Sequence, residues 1–567
     1  MAQGSRVDKI WLKNYPKGVP AEINPHEYAS VIEIVDEACK TYASQPAFTS
    51  MDTTITYSEY DRLARDFAAW IQTHTRLKKG DRIAIMLPNV LQYPIALYGA
   101  LRAGLTVVNT NPLYTARELE HQLKDSGAKA ILILESFAHV LEQVIAHTAI
   151  EHVLVTGVGD CLKWPKSTIV NIVVRHVRKQ VKPWNLPGAI SFVDALNEGE
   201  YCRFTPVALG HEDIAFLQYT GGTTGVAKGA MLAHGNMVAN VLQSAAWIGG
   251  NVRRGADTLI TALPLYHIFA LTANWIVFVH FGGHNVLIVN ARDFPAFVKE
   301  LKKYRFGFLA GVNTLFNALL NTPGFADVDF SELRITLGGG MAVQRAVAER
   351  WKAVTGNVIT QAWGLTETSP AACINPCTGR DFTGSIGLPI PSTDLSIRDD
   401  QGNELAIGEI GEICVRGPQV MRGYWQRPEE TFQVMLGDWL RTGDIGRMDS
   451  EGFVYIEDRK KDMILVSGFN VYPNEVESVA ATHPGILEVA AVAQPDERSG
   501  EVVALFVVKK DPSLTEQQVI DHCRTELTGY KVPKHVYFKS ELPKSNVGKI
   551  LRRALRDELK KEHGAKA

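Results

Sequence analysis

Cysteine is scarce in this chain, seven residues scattered from Cys39 to Cys523 among 567, which excludes a disulfide framework and suits a reducing compartment. Only Cys373 and Cys377 lie close together, and without a second pair or a His cluster that spacing reads as structural rather than as a zinc site. Charge of one sign is lacking too. Lys plus Arg number 59 against 61 Asp plus Glu, a formal net charge of -2, so no global field attracts nucleic acid and none is expected as a partner. Long hydrophobic runs are missing: the most apolar window, Ile268 to Phe281, is about 14 residues long and carries Thr272, Asn274 and His280, short of a bilayer span and better read as a buried helix. No apolar stretch follows Met1 to Asp8, so the expectation is cytoplasmic residence.

What is present is ordinary globular composition, 46% hydrophobic and 21% charged, at a length that implies two to four domains. Apolar positions from Ser58 to Gln72 recur at helical spacing, with Ser58 placed as N-cap. Short apolar runs at Arg82 to Leu87, Leu105 to Val108, Ala130 to Leu134, His152 to Val155, Asp257 to Ala262, Val286 to Val289 and Phe306 to Ala310 alternate with helix-length segments, which predicts parallel α/β sheets. Between Leu388 and Tyr455 the runs shorten to Asp394 to Ile397, Gly411 to Arg416 and Gly452 to Ile456, with Gly, Asp and Pro between them, as in a small antiparallel β subdomain. The predicted organisation is an α/β body over 1–460, with its β subdomain at about 388–458, and an α+β lid over 461–567.

From Ser167 to Trp184, Val170, Val173, Val174, Val177 and Val181 fall on one helical face and Arg175, Arg178, Lys179 and Lys182 on the other. A basic amphipathic helix of this kind lies at an anionic membrane surface, or packs on a core as any surface helix does.

The clearest chemical signal follows the apolar run Ile214 to Leu217. Tyr219, Thr220, Gly221, Gly222, Thr223, Thr224, Gly225, Val226, Ala227, Lys228 and Gly229 concentrate glycine, threonine and lysine. Glycines let backbone N–H groups converge on an anion, hydroxyls add donors, and the lysine adds a point charge, a combination suited to a polyphosphate such as ATP. A flexible polar loop is the alternative. The pattern G-x-x-x-x-G-K-[ST] fails because Lys228 follows Ala227 and precedes Gly229, and no strand runs into G-x-G-x-x-G with a downstream acid.

This loop resembles the adenylate-forming superfamily when taken with Pro264-Leu265-Tyr266-His267, Trp363-Gly364-Leu365-Thr366-Glu367, Arg441-Thr442-Gly443-Asp444, Asp458-Arg459-Lys460-Lys461-Asp462 and Pro543-Lys544-Ser545-Asn546-Val547-Gly548-Lys549. Within it the chain is similar to the bacterial long-chain acyl-CoA synthetases from Trp11 to Arg553, including Pro112-Leu113-Tyr114-Thr115 and Gly468-Phe469-Asn470-Val471-Tyr472-Pro473-Asn474.

The resemblance implies a ligase that uses MgATP to convert a long-chain fatty acid to acyl-AMP and pyrophosphate, then forms acyl-CoA and AMP, feeding fatty acid uptake and β-oxidation. It implies Lys549 as the catalytic lysine on the carboxylate and α-phosphate, Thr366 on the α-phosphate, and Glu367 with Thr220 for Mg²⁺. Tyr219 to Gly225, Lys228, Gly340 and Gly364 would surround ATP, Trp363 would stack on adenine where tyrosine is usual, Asp444 would take the ribose hydroxyls, and Arg459 ribose or phosphate. The acyl pocket would use His267, Tyr266, Gly338, Gly339 and Met341, with a tryptophan gate near Leu271 or at Trp275. Lys461 would be the hinge that brings Gly468 toward the CoA channel.

Three other readings share parts of this pattern: an adenylating enzyme that loads a carrier protein or takes a different acid, a membrane-associated fatty-acid binding component, and a general NTPase releasing ADP. Peripheral contact with the inner membrane surface and a homodimer stay open as further partners.

Overall fold

Strands such as Ala130–Leu134 are apolar at every position and fully buried, as strands covered by helices on both faces must be. In the computed structural model, which describes residues 9–220, 227–377, 379, 381–496 and 498–564, they assemble into four sheets. A seven-stranded sheet runs in the order Ile190–Ser191, His152–Thr156, Ala130–Leu134, Arg82–Met86, Thr106–Asn109, Ile214–Thr220, Lys228–Ala233. All its pairings are parallel except the last, a hairpin that places Thr220 opposite Lys228.

A nine-stranded sheet carries the parallel strands Ile359–Gly364, Ile335–Gly338, Phe308–Gly311, Thr258–Thr261, His284–Leu287 and Pro46–Ser50, with antiparallel strands at both edges. Parallel strands point their carboxyl ends the same way, and in open α/β sheets ligands bind beyond those ends. Here those ends lead into Gly339-Gly340 and into Leu365-Thr366-Glu367.

Asp394–Arg398, Gly411–Arg416, Met435–Leu436, Trp439–Met448 and Val454–Arg459 form a five-stranded antiparallel sheet. The last sheet joins Ile464–Val466, Phe469–Val471, Ile486–Asp496, Gly500–Lys509 and His535–Lys539. Its two faces are covered by apolar clusters drawn only from residues 464–559.

Several local expectations shift. The first long helix is Tyr57–His74, capped by Thr56 rather than Ser58, with Thr56 and Glu59 forming a reciprocal capping box. The window 268–281 is buried but is not one α-helix: Ile268–Ala270 and Val277–His280 flank a π-helical turn, Leu271–Ile276. The basic segment is helical over Lys166–Ile172 and π-helical over Val173–Val177, stopping short of Trp184. Its valines divide differently from the expected pattern. Val170, Val173 and Val174 are half-buried, whereas Val177 faces solvent with Trp164, Ile169 and Ile172.

Candidate active site

The phosphate-loop hairpin is anchored from outside. Tyr219 is packed in a core, and its hydroxyl donates to Asp125 Oδ2 at 2.7 Å, while Arg427 Nη2 donates to Asp125 Oδ1 at 2.5 Å. Its side chain therefore fastens the strand, with its hydroxyl turned to Asp125. Thr220 and Lys228 face each other at the mouth of the hairpin. Gly221, Gly222, Thr223, Thr224 and Gly225 lie outside the described residues.

At the end of the strand Ile359–Gly364 the chain turns sharply. A Cβ on Gly364 would lie 1.7 Å from the Pro370 carbonyl oxygen, so this approach admits only glycine. The turn 366–368 that follows presents half-buried Thr366 and Glu367. Glu367 is held twice: its carbonyl accepts from Met421 N at 2.8 Å, and its Oε1 accepts from the Tyr424 hydroxyl at 2.7 Å. Burial, with the Glu367 charge adding to it, pushes the Tyr424 phenol far above its ordinary value, so it stays a donor. Lys228 Nζ lies 5.4 Å from the centroid of the Tyr424 ring. Tyr424 thus joins the hairpin lysine to the motif carboxylate. Sequence reasoning missed it, although Gly423-Tyr424-Trp425 is an aromatic pair beside a glycine in a stretch of turns.

Trp363 is 7% exposed, and its Nε1 donates to Asp444 Oδ2 at 2.9 Å. Asp444 pairs with Arg459 across an antiparallel ladder, where Arg459 Nε lies 3.1 Å from Asp444 Oδ1. Both oxygens of this buried carboxylate are therefore oriented.

Lys549 comes from the other end of the chain. A bridge between Lys544 and Ile550 closes a loop in which Gly548 takes φ +83° and Lys549 N donates to Ser545 Oγ at 3.1 Å. Thr314 donates to the Gly548 carbonyl at 2.9 Å, docking the loop on the large sheet's side. The Lys549 Cε would sit 3.3 Å from a Cβ on Gly340, itself at φ +76°. Burial, then the nearby Arg459, lower the Lys549 pKa to about 8, against the opposing pull of Asp444 and Glu367.

Lys549, His267, Gly339, Gly340, Trp363 and Gly364 line one cavity, with about 910 Å³ of empty volume, part of it open to solvent. Burial, with Lys549 adding to it, holds His267 at about 3, so its ring is neutral, and its Nδ1 accepts from Phe269 N at 3.3 Å. The rest of the wall is mainly apolar.

Other expected residues lie elsewhere. Gly338 faces Ile359 and Val343, because alternation sends it to the opposite side from Gly339. Tyr266 and Met341 pack at the margin of the large core instead of on the cavity wall, and Tyr266 contributes its carbonyl to Gln218 Nε2 at 2.7 Å. Leu271 and Trp275, near which a gate was expected, do not line the cavity: both are buried in the core, where Trp275 Nε1 bonds the Tyr60 hydroxyl at 3.0 Å. Lys461 and Gly468 are exposed, the latter at φ +85° in a hairpin where Phe469 stacks on Tyr530.

Among the described residues no cluster of three or more His, Cys, Asp or Glu side chains is arranged to hold a metal. Cys373 is in a core and Cys377 leans on the Asn375 carbonyl. A hard cation bound here would take few protein oxygens and complete its shell with ligand phosphates, a donor set that Glu367 and Thr220 fit.

The sequence profile of the AMP-binding enzyme family matches residues 35–425, and that of the AMP-binding enzyme C-terminal domain matches residues 475–549. The chain is 56% identical to a long-chain-fatty-acid–CoA ligase of Escherichia coli O157:H7 over 97% of its length and 98% of the relative's. It is 37% identical to the long-chain-fatty-acid–CoA ligase of Bacillus subtilis (strain 168), over 98% and 99%. The fold is similar to the crystal structure of the anthranilate CoA ligase AuaEII in complex with anthranoyl-AMP, with a TM-score of 0.85 and 25% identity over 96% of this chain and all of that one. The chain belongs to the AMP-binding, adenylate-forming enzymes, in the family of long-chain-fatty-acid–CoA ligases.

Proposed function

We infer that this chain activates a long-chain fatty acid with ATP and transfers the acyl group to CoA. The observation that carries the reading is the convergence of Lys549, His267, Gly340 and Trp363 on one cavity whose remaining wall is mainly apolar.

In the first step the fatty carboxylate attacks the α-phosphorus of ATP, pyrophosphate leaves, and the mixed anhydride forms. In the second the CoA thiol attacks the acyl carbon and AMP leaves. No protein nucleophile is needed, so catalysis is positioning and charge stabilisation. Lys549 places its ammonium between carboxylate and α-phosphate. Neutral His267 shapes the cavity without adding a second cation. Asp444 offers the lone pairs left by Trp363 and Arg459 to the ribose hydroxyls, and Trp363 presents its ring to adenine. Thr366 bonds the α-phosphate, and Lys228 with the hairpin holds the β- and γ-phosphates. Glu367 and Thr220 would hold a magnesium ion, which when bound neutralises phosphate charge.

The segment 461–567 acts as a lid turning about Lys461. The docked Lys549 and the exposed Gly468 hairpin are what an adenylating arrangement requires; a rotation would withdraw the first and bring in the second. A membrane surface is a further partner, favoured by exposed Trp164, Ile169, Ile172 and Val177 beside exposed Lys163, Arg178, Lys179 and Lys182.

Pyrophosphate release measured across acids from acetate to oleate, each with and without CoA, tests the function. Release favouring long acids, with AMP and acyl-CoA as final products, is expected. ADP formation, or a best substrate among the short acids, would overturn it.

A further inference from the structure

The walls of the cavity beneath Lys549 have a direction. In the strand Ile335–Gly338 alternate side chains face opposite sides. Ile335 and Leu337 line the cavity together with Gly339, while Thr336 turns away to accept from Trp351 Nε1 at 3.0 Å. The neighbouring strand adds Phe308 and Ala310 to the same wall. The facing wall includes Asn240, Ser244 and Ile248, spaced four apart on the helix His234–Ile248 and so aligned in one stripe.

Both walls run the same way. Asn240 is bonded through both amide atoms to Ala371, at 2.8 and 3.0 Å, and Ala371 is paired with Gly364 at the Lys549 end. Ile248, eight residues on, packs against a separate apolar cluster of Leu259, Phe278, Phe308 and Ile335. The cavity wall therefore carries Asn240 and Ser244 nearer the reacting groups and the apolar cluster of Leu259, Phe278, Phe308 and Ile335 farther from them.

Two rings line that far end. Phe278 and Phe308 meet edge to face, with centroids 4.7 Å apart and planes at 75°. The Arg334 guanidinium lies 5.5 Å from the Phe308 centroid and is fixed by its bond to the Asn251 carbonyl at 2.9 Å and by its pairing with buried Asp257. Phe308 is thus braced on two sides. From Gly339 to Ile335 is four residues of strand, about 13 Å. An extended residue spreads three backbone bonds over roughly 3.5 Å, so an all-trans alkyl chain advances about 1.2 Å per carbon and about 11 carbons cover that length.

We propose that Phe308, braced by Phe278 and Arg334, is the chain-length stop of the acyl cavity. This rests on the fatty-acid ligase reading and adds to it the residue that sets substrate length. The carboxylate lies at Lys549 and the methyl end meets the ring pair, so chains beyond roughly a dozen carbons must bend within the cavity or displace Phe308.

The test is the chain-length profile of kcat/KM for octanoate, decanoate, laurate, palmitate, stearate and arachidate in the full chain, comparing wild type with Phe308→Ala, Phe308→Leu and Ile335→Phe. The ratio of two acids on one enzyme is unaffected by the fraction of enzyme that is folded, and Phe308→Leu serves if the alanine variant does not fold. Removing the ring should raise the stearate to decanoate ratio by about tenfold, the scale at which hydrophobic pockets discriminate, and Ile335→Phe should lower it comparably. Unchanged ratios in active variants would overturn the stop alone. A wild type that releases pyrophosphate with none of these acids would overturn the underlying reading instead.

Discussion

The indole Nε1 of Trp363 donates a 2.9 Å hydrogen bond to Oδ2 of Asp444, linking two residues from different sheets. The carboxylate that would receive the ribose is therefore fixed by the side chain that would receive the base, and Arg459 holds its other oxygen. Phenylalanine cannot make this bond.

Trp363→Phe should accordingly raise KM for ATP while leaving KM for the acid nearly unchanged. A hydrogen bond to a charged group contributes about 1.5–3 kcal/mol, so the loss in ATP affinity should be on the order of tenfold or more. Equal rises in both KM values would point to a collapsed cavity rather than a lost orienting bond. The split between the two substrates is the measurement that decides.

Lys549 gives a pH prediction with a definite sign. Its ordinary value of 10.5 is lowered to about 8, so in the free enzyme the ammonium is present below that pH and is lost above it. Free-enzyme ionisations appear in kcat/KM. The kcat/KM of the adenylation half-reaction should fall as pH rises through about 8. Lys549→Arg, which stays charged throughout, should abolish that limb even if its rate is low. Lys549→Ala should suppress adenylate formation far more than thioester formation from supplied acyl-adenylate.

Periodicity made the fold legible and left the site only partly so. Ala130–Leu134 and Gly411–Arg416 occupy the positions their apolar patterns predict, because a strand's burial is written in consecutive residues. A motif does not say which of its neighbours faces a ligand. Gly338 and Gly339 stand side by side, yet only the second lines the cavity, and Tyr219 beside Thr220 points into a core. Shifting by one residue along a strand reverses the face. The apolar wall was illegible for another reason: Phe308, Leu337 and Ile248 have the composition of core residues, and only three-dimensional packing leaves a space beside them. Tyr424 was missed because its role depends on Glu367, 57 positions away.

Tyr424→Phe isolates that role. The ring under Lys228 is kept while the 2.7 Å bond to Glu367 Oε1 is removed. If the hydroxyl orients Glu367 for a divalent cation, the Mg²⁺ concentration needed for half-maximal pyrophosphate release should rise by on the order of tenfold. Binding of Mn²⁺ in the presence of ATP, followed by electron paramagnetic resonance, should weaken in parallel. An unchanged cation dependence with lower turnover would leave Tyr424 a packing residue.

The exposed face of the basic helix leads to a prediction about membranes. Trp164 is 82% exposed, Val177 70%, Ile169 55% and Ile172 51%, an unusual concentration of apolar surface in one short segment. Not every nearby cation is available: Lys166 is paired with Asp52 at 2.7 Å and Arg175 with Glu135 at 2.8 Å. Lys163, Arg178, Lys179 and Lys182 remain exposed beside the apolar side chains, and each basic residue near an anionic surface contributes about 1 kcal/mol. Co-sedimentation should therefore be stronger with phosphatidylglycerol-containing vesicles than with pure phosphatidylcholine, and should weaken as salt rises. Replacing Arg178, Lys179 and Lys182 with glutamine should remove most of the preference for anionic lipid, and Trp164→Ser with Ile169→Ser should reduce binding to both vesicle types. Because none of these residues lines the cavity, turnover of a dissolved acid such as decanoate should stay at the wild-type level. A parallel loss of that turnover would mean that the segment supports the fold rather than a surface.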